Sequence, residues 1–155
     1  MDLKELYQEI ILDHGKNPRN RKKCNDHNRD AIGHNPLCGD KVHVFLKLDE
    51  NKVLQDITFL GEGCAISMAS ASIMTEILKG KDFNVAKKIL EQFLIMIKEG
   101  GKININSLNE DQNTSIMSLS GVKKFPMRVK CATLAWHTYT LAAEGKKKIA
   151  NTEKQ

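Results

Sequence analysis

The stretch that most constrains this chain is a run of strict alternation beginning at residue 41. Val42, Val44, Leu46 and Leu48 alternate with Lys41, His43, Phe45 and Lys47. A period of two places every second side chain on one face of a strand. Asp49-Glu50-Asn51-Lys52 is a polar turn, and Val53 to Leu60 reads as a second strand with Ile57 and Phe59 on one face. Strands joined by so short a turn pair antiparallel, so the start of the first lies beside the end of the second. Pairing Leu48 with Val53 sets Cys38 opposite Gly63. A slip of register would alter the details but leave Cys38 and Cys64 at the same end of the sheet.

At Cys64 the period changes. Ala65, Ile66, Met68, Ala69, Ile73, Met74, Ile77 and Leu78 recur at helical spacing, with Gly80 as the stop. Three other helices are legible. Asp2 and Glu5 fit a capping box ahead of Leu3, Leu6, Tyr7, Ile10 and Ile11, and this helix ends near Gly15. Asn84 reads as the cap of a helix burying Ala86, Ile89, Leu90, Phe93, Leu94 and Ile97, which Gly100-Gly101 ends. Pro126 suits the first position of a last helix running to about Glu144. Residues 16–37 read as polar loop with a short strand near Ala31 and Ile32. Residues 102–114 read as loop, and Ile116, Met117 and Leu119 as a short helical turn. The length of 155 residues favours one domain, over residues 1–145. A basic, flexible tail over residues 146–155 follows.

Three of the four cysteines stand in distinctive settings: Cys38 in Asn35-Pro36-Leu37-Cys38-Gly39-Asp40, Cys64 in Gly61-Glu62-Gly63-Cys64-Ala65, and Cys131 in Arg128-Val129-Lys130-Cys131-Ala132. Three thiolates and the Asp40 carboxylate suffice for one tetrahedral metal ion. Cys64 opens a helix, where free N–H groups and the helix dipole favour a thiolate. Arg128, three residues before Cys131, shares its helix face. Arg128, Lys41 or Lys130 would offset the negative charge of such a ligand set. A cysteine outside a Cys-x-x-Cys pair is also ordinarily a small buried side chain, so both readings stand at this point. Cys24, in a polar loop, reads as an incidental thiol. His14 and His27 read as surface residues, His43 as lying on a polar strand face, and His34 and His137 as structural.

Composition narrows the function. The net charge is +5, of which Lys146, Lys147, Lys148 and Lys154 against Glu153 supply +3. The body is thus mildly basic and, at 5% aromatic residues, offers no base-stacking platform for nucleic acid. No apolar run is long enough to span a membrane. No signal peptide is legible, and reduced, clustered cysteines fit a cytoplasmic setting.

Four blocks, His14–Asn20 (HGKNPRN), Asn35–Asp40 (NPLCGD), Gly61–Thr75 (GEGCAISMASASIMT) and Phe125–Trp136 (FPMRVKCATLAW), together resemble the NifU N-terminal/IscU-like superfamily of iron–sulfur assembly proteins, nearest its SufU branch. The resemblance implies an α+β fold, a small antiparallel sheet of about three strands packed on several helices, with Cys38, Asp40, Cys64 and Cys131 as metal ligands, zinc as the metal, and Arg128 as the basic residue beside the site. It implies a pyridoxal-phosphate cysteine desulfurase (SufS-like) as partner, whose docking exchanges a zinc ligand and frees Cys38 to accept persulfide sulfur. The chain would then be an accessory to that enzyme, passing sulfur to downstream assembly proteins. The alternative within the superfamily is a scaffold for a labile [2Fe–2S] cluster on the same residues. A closed structural zinc site is disfavoured by the carboxylate, and a disulfide redox role by the lack of a Cys-x-x-Cys pair. Lys130 stands where the IscU branch usually has histidine, Lys124–Lys130 departs from its chaperone-recognition segment, and residues 102–122 match an insertion of the SufU branch.

Overall fold

The computed structural model describes residues 2–145 and 150–151. In chain order they form α1 (Leu3–Lys16), β1 (Arg29–Asn35), β2 (Asp40–Leu48), β3 (Leu54–Glu62), α2 (Ala65–Leu78), α3 (Phe83–Glu99), α4 (Glu110–Met117), a 3₁₀ segment (Ser118–Lys124), α5 (Pro126–Ala143) and β4 (Ala150–Asn151). The sheet order is β3-β2-β1-β4, antiparallel through its first three strands. Ala150 and Asn151 pair parallel with Gly33 and His34. The rest of the basic tail lies outside the described residues.

β1 runs seven residues, longer than the short strand read around Ala31. It pairs with β2 through a tight turn that sets Asn35 beside Asp40. The β2–β3 hairpin forms as the alternation requires, but its register differs. Lys41 faces Glu62 and Val44 faces Phe59, two residues from the register set by pairing Leu48 with Val53. An irregularity at Lys47/Leu48 accounts for part of the offset, because Leu48 pairs with Leu54. A two-residue offset keeps every side chain on its face, so Val42, Val44, Leu46 and Leu48 still point into the core. Phe45, on the opposite face, is also buried, beneath the rings of His43 and His27 at 4.1 and 4.9 Å.

The helices cover the other side of that core. α5 packs against β1 and β2, α2 against β3, and α1 against α2. Gly33 lets α5 lie this close, since a Cβ there would run into the Thr138 hydroxyl. α2 is buried nearly all round, and its small residues admit neighbouring backbones. The Ser70 hydroxyl donates to the Ala132 carbonyl at 2.5 Å and accepts from Trp136 Nε1 at 2.9 Å, fastening α2 to α5. Trp136 also stacks on Phe93 of α3 at 4.0 Å, a contact that contributes about 0.5–1.5 kcal/mol beyond area burial.

Three further expectations are corrected. α3 is capped by Asp82, whose carboxylate accepts from Val85 N–H at 2.9 Å, and not by Asn84. Both residues are good caps, but only Asp82 sits three residues before a free helical N–H at the turn after Gly80. Residues 110–114, read as loop, belong to the helix Glu110–Met117, because Asn109 and Gln112 form a reciprocal capping box. His14 is buried and not at the surface. Its Nδ1 lies 2.7 Å from the Ser72 hydroxyl, which also accepts from Arg19 N–H.

Candidate metal centre

Three elements deliver the chemistry to one end of the sheet. Cys38 sits on the turn between β1 and β2, where Gly39 adopts φ 70° with open space around it. Asp40 is the first residue of β2 and fully buried. Cys131 is in the second turn of α5, fully buried, and reaches the site because α5 lies on β1. The ligand atoms of Cys38, Asp40 and Cys131 all lie within 4.8 Å of one another.

Cys64 stands beside that group as the N-cap of α2, its sulfur accepting from Ser67 N–H at 3.4 Å. Its own N–H donates to Asp40 Oδ1 at 2.8 Å, and its sulfur lies 3.9 Å from Asp40 Oδ2. A tetrahedral zinc, with metal–sulfur bonds of about 2.3 Å and metal–oxygen bonds of about 2.0–2.2 Å, holds neighbouring donors roughly 3.5–3.8 Å apart. Cys38, Asp40 and Cys131 are therefore close enough to hold a metal ion, and a donor set of soft thiols with one carboxylate suits zinc, while Cys64 stands just outside that group. Gly63, at φ 146°, is required here, because a Cβ would occupy the position of the Asp40 carboxylate.

The site is biased toward thiolate. A hydrogen bond from Cys131, with support from the backbone N–H groups of Ser67 and Ile66, brings Cys64 down to about 6 against the opposing effect of burial. The same bond, together with burial, pushes Cys131 up. The two thiols therefore titrate as a pair, with thiolate favoured at Cys64. Arg128 is exposed at the rim, and the charges of Cys64 and Cys131 hold its guanidinium protonated more firmly than usual.

Asn35 went unmarked in the sequence reading. Its side chain is fully buried, and Nδ2 lies 3.5 Å from Asp40 Oδ2 and 3.7 Å from Cys131 Sγ. The signal was available: a β1–β2 hairpin with a four-residue turn over 36–39 places Asn35 directly opposite Asp40. The remaining candidates stand apart. Cys24 is buried with its thiol donating to Asp26 at 3.2 Å, and burial pushes it up to about 11. His43 bonds Asp30 at 2.7 Å, and burial holds His137 below the usual histidine range.

The NifU-like N terminal domain family matches residues 6–132. This chain belongs to that family. It is 44% identical over 135 residues to the zinc-dependent sulfurtransferase SufU of Bacillus subtilis, covering 87% of each chain. It is 35% identical over 151 residues to the iron–sulfur cluster assembly scaffold protein IscU of Streptococcus pyogenes serotype M1, covering 97% of this chain and 89% of that one. The fold matches, with a TM-score of 0.77 and 33% identity, a Fervidobacterium islandicum AW-1 protein assigned as an iron–sulfur cluster assembly scaffold of the SUF system, covering 90% of this chain and 97% of that one. Other members of the NifU-like family thus carry both names, sulfurtransferase and scaffold, on this fold.

Proposed function

We propose that this chain is a zinc-binding sulfur acceptor in iron–sulfur cluster assembly, in which Cys38 takes sulfur from the persulfide of a SufS-like cysteine desulfurase in the cytoplasm. The observation that carries this reading is the convergence of Cys38, Asp40 and Cys131, with Cys64 alongside, at one end of the sheet. Cys38 stands on a half-exposed turn, whereas Cys131 and Asp40 are sealed. The zinc dependence named for the Bacillus subtilis relative supports the same metal here.

Cys38, Asp40, Cys64 and Cys131 are the proposed ligands, and bound zinc would supply thiolates at neutral pH, protected from oxidation. The chain's own part is to present one of them. The Cys38 thiolate attacks the terminal sulfur of the donor persulfide. The donor's S–S bond breaks, a new S–S bond forms on Cys38, and the donor cysteine leaves as thiolate, so no net oxidant or reductant is consumed. Arg128, at the rim, faces the charge that this exchange moves between thiolates. The test is desulfurase turnover with the zinc-loaded protein. A large rate increase that Cys38→Ala abolishes, with zinc and fold retained, supports the reading; full stimulation by Cys38→Ala overturns it.

The scaffold name carried by the Streptococcus pyogenes relative favours a second reading, in which the same residues hold a labile [2Fe–2S] cluster. Anaerobic reconstitution with iron and sulfide separates the two. Under the scaffold reading Asp40→Ala traps a coloured cluster, and under the acceptor reading it stays colourless.

A further inference from the structure

Between α1, the 3₁₀ segment and the start of α5 lies a groove of about 840 Å³. Tyr7, Ile11, Ile66, Val122 and Phe125 give it an apolar lining. Its charged lining residues are Lys4, Lys124 and Arg128, with no carboxylate among the described residues that line it. The groove adjoins the metal centre at two points. Ile66 is two residues beyond Cys64, and Arg128 is the cation held by the charges of Cys64 and Cys131. Two large apolar side chains in the groove are also exposed, Leu3 at 55% and Phe125 at 60%. Exposed apolar side chains gathered around a concave surface mark a contact site more often than chance placement does.

One wall is the 3₁₀ segment, part of the polar stretch over residues 102–122 that the acceptor chemistry leaves without a role. That stretch is folded against the body. α4 and the 3₁₀ segment both pack on α1, and the Lys123 ammonium donates to the Glu99 carbonyl at 2.6 Å. The wall is therefore preformed.

We infer that this groove docks an acidic segment with an apolar face on the sulfur donor, holding that enzyme beside Cys38. The inference rests on the sulfur-acceptor reading above. Apolar side chains of the segment fill the groove between Tyr7 and Phe125, and its carboxylates meet Lys4 and Lys124 at the rim. Charges so placed govern encounter and affinity and not the chemical step. The groove thus separates holding the donor from reacting with it.

The test measures desulfurase rate against concentration of zinc-loaded protein at low and high salt. The variants are Leu3→Ser and the pair Lys4→Glu with Lys124→Glu. Lys87→Glu with Lys88→Glu, exposed on α3 and away from the groove, makes the same change in net charge. The inference expects the groove variants to raise the half-maximal concentration at least about 10-fold at low salt, with the maximal rate unchanged and the α3 pair like wild type. Groove variants indistinguishable from the α3 pair would overturn it. So would sedimentation showing a wild-type dimer that the groove variants dissociate, since a second copy would then fill the groove. A wild-type protein that neither binds nor accelerates the desulfurase overturns the acceptor reading itself, whatever the groove variants do.

Discussion

The backbone N–H of Cys64 donates to Asp40 Oδ1 at 2.8 Å, while Oδ2 of the same carboxylate lies 3.9 Å from the Cys64 sulfur. One side chain therefore joins the start of β2 to the N-cap of α2 and also stands among the thiols. The two duties separate by substitution. Asp40→Asn keeps an oxygen for the Cys64 N–H but loses the charge. Asp40→Ala loses both and leaves a part-buried donor unpaired, which costs up to about 1–3 kcal/mol. Urea unfolding of the metal-free proteins should place the Ala variant below the Asn variant by that amount, with zinc affinity reduced in both. Equal stabilities would remove the capping role.

Asn35 gives a second prediction. Its Nδ2 faces both Asp40 and Cys131, so it steadies two proposed ligands from behind. Residues that orient ligands in this way change metal affinity by about 10- to 100-fold when lost. Asn35→Ala should lower zinc affinity by that factor in a chelator competition. Asn35→Asp, which sets a like charge against Asp40, should lower it at least as far. Cobalt substitution reads the same change as a shift in the visible bands. Unaltered affinity and bands in both variants would show that Asn35 only fills space.

Gly63 is predicted to tolerate no side chain. Its φ of 146° disfavours other residues, and a Cβ would displace the Asp40 carboxylate. Gly63→Ala should cost at least about 1–3 kcal/mol of stability and most of the bound zinc. Thermal melts with and without metal check this. Gly39→Ala, with the same sign of φ but open space around it, should cost less and keep its metal.

How much of this was legible follows from what each residue's neighbours are. The hairpin and its glycines put Cys38 and Cys64 at one end of the sheet, because antiparallel pairing fixes that end whatever the register. The register itself was two residues off, since turn geometry and the irregularity at Lys47/Leu48 are tertiary outcomes that alternation does not encode. Cys131 was recognisable by its block, but its arrival at Asp40 depends on α5 crossing β1 over Gly33, a long-range contact. α4 was missed because a polar helix carries little periodic signal, although Asn109 and Gln112 announce its start. Asn35 was missed because the β1–β2 turn that sets it opposite Asp40 was read as loop, and His14 for a different reason. A polar residue whose partner is as distant in sequence as Ser72 looks like a surface residue until the fold brings the partner.

His14 makes an acid-stability prediction. His14 Nδ1 lies 2.7 Å from the Ser72 hydroxyl, which accepts from Arg19 N–H, so the ring is held inside the fold. Burial, and then the Arg19 charge, bring His14 down to about 4. The folded state thus binds fewer protons than the unfolded state between about 4 and the unfolded value near 6.5. Stability from this group is full above the unfolded value and is lost as pH falls through that window, by as much as about 3 kcal/mol. His14→Asn, which keeps a hydrogen-bonding group for Ser72 but does not titrate, should flatten the slope of unfolding free energy between pH 6.5 and 4 relative to wild type. Parallel slopes would contradict it.

The central claim is that Cys38 is the sulfur acceptor, and it is tested most directly by mapping where sulfur goes. Zinc-loaded protein is mixed with a cysteine desulfurase and cysteine, alkylated, and analysed by intact mass and peptide mapping. One added sulfur atom per chain is expected, carried on the Cys38 peptide and absent in Cys38→Ser, while Cys24 remains unmodified. Added sulfur on Cys64 or Cys131 with Cys38 free, or undiminished uptake by Cys38→Ser, would contradict it.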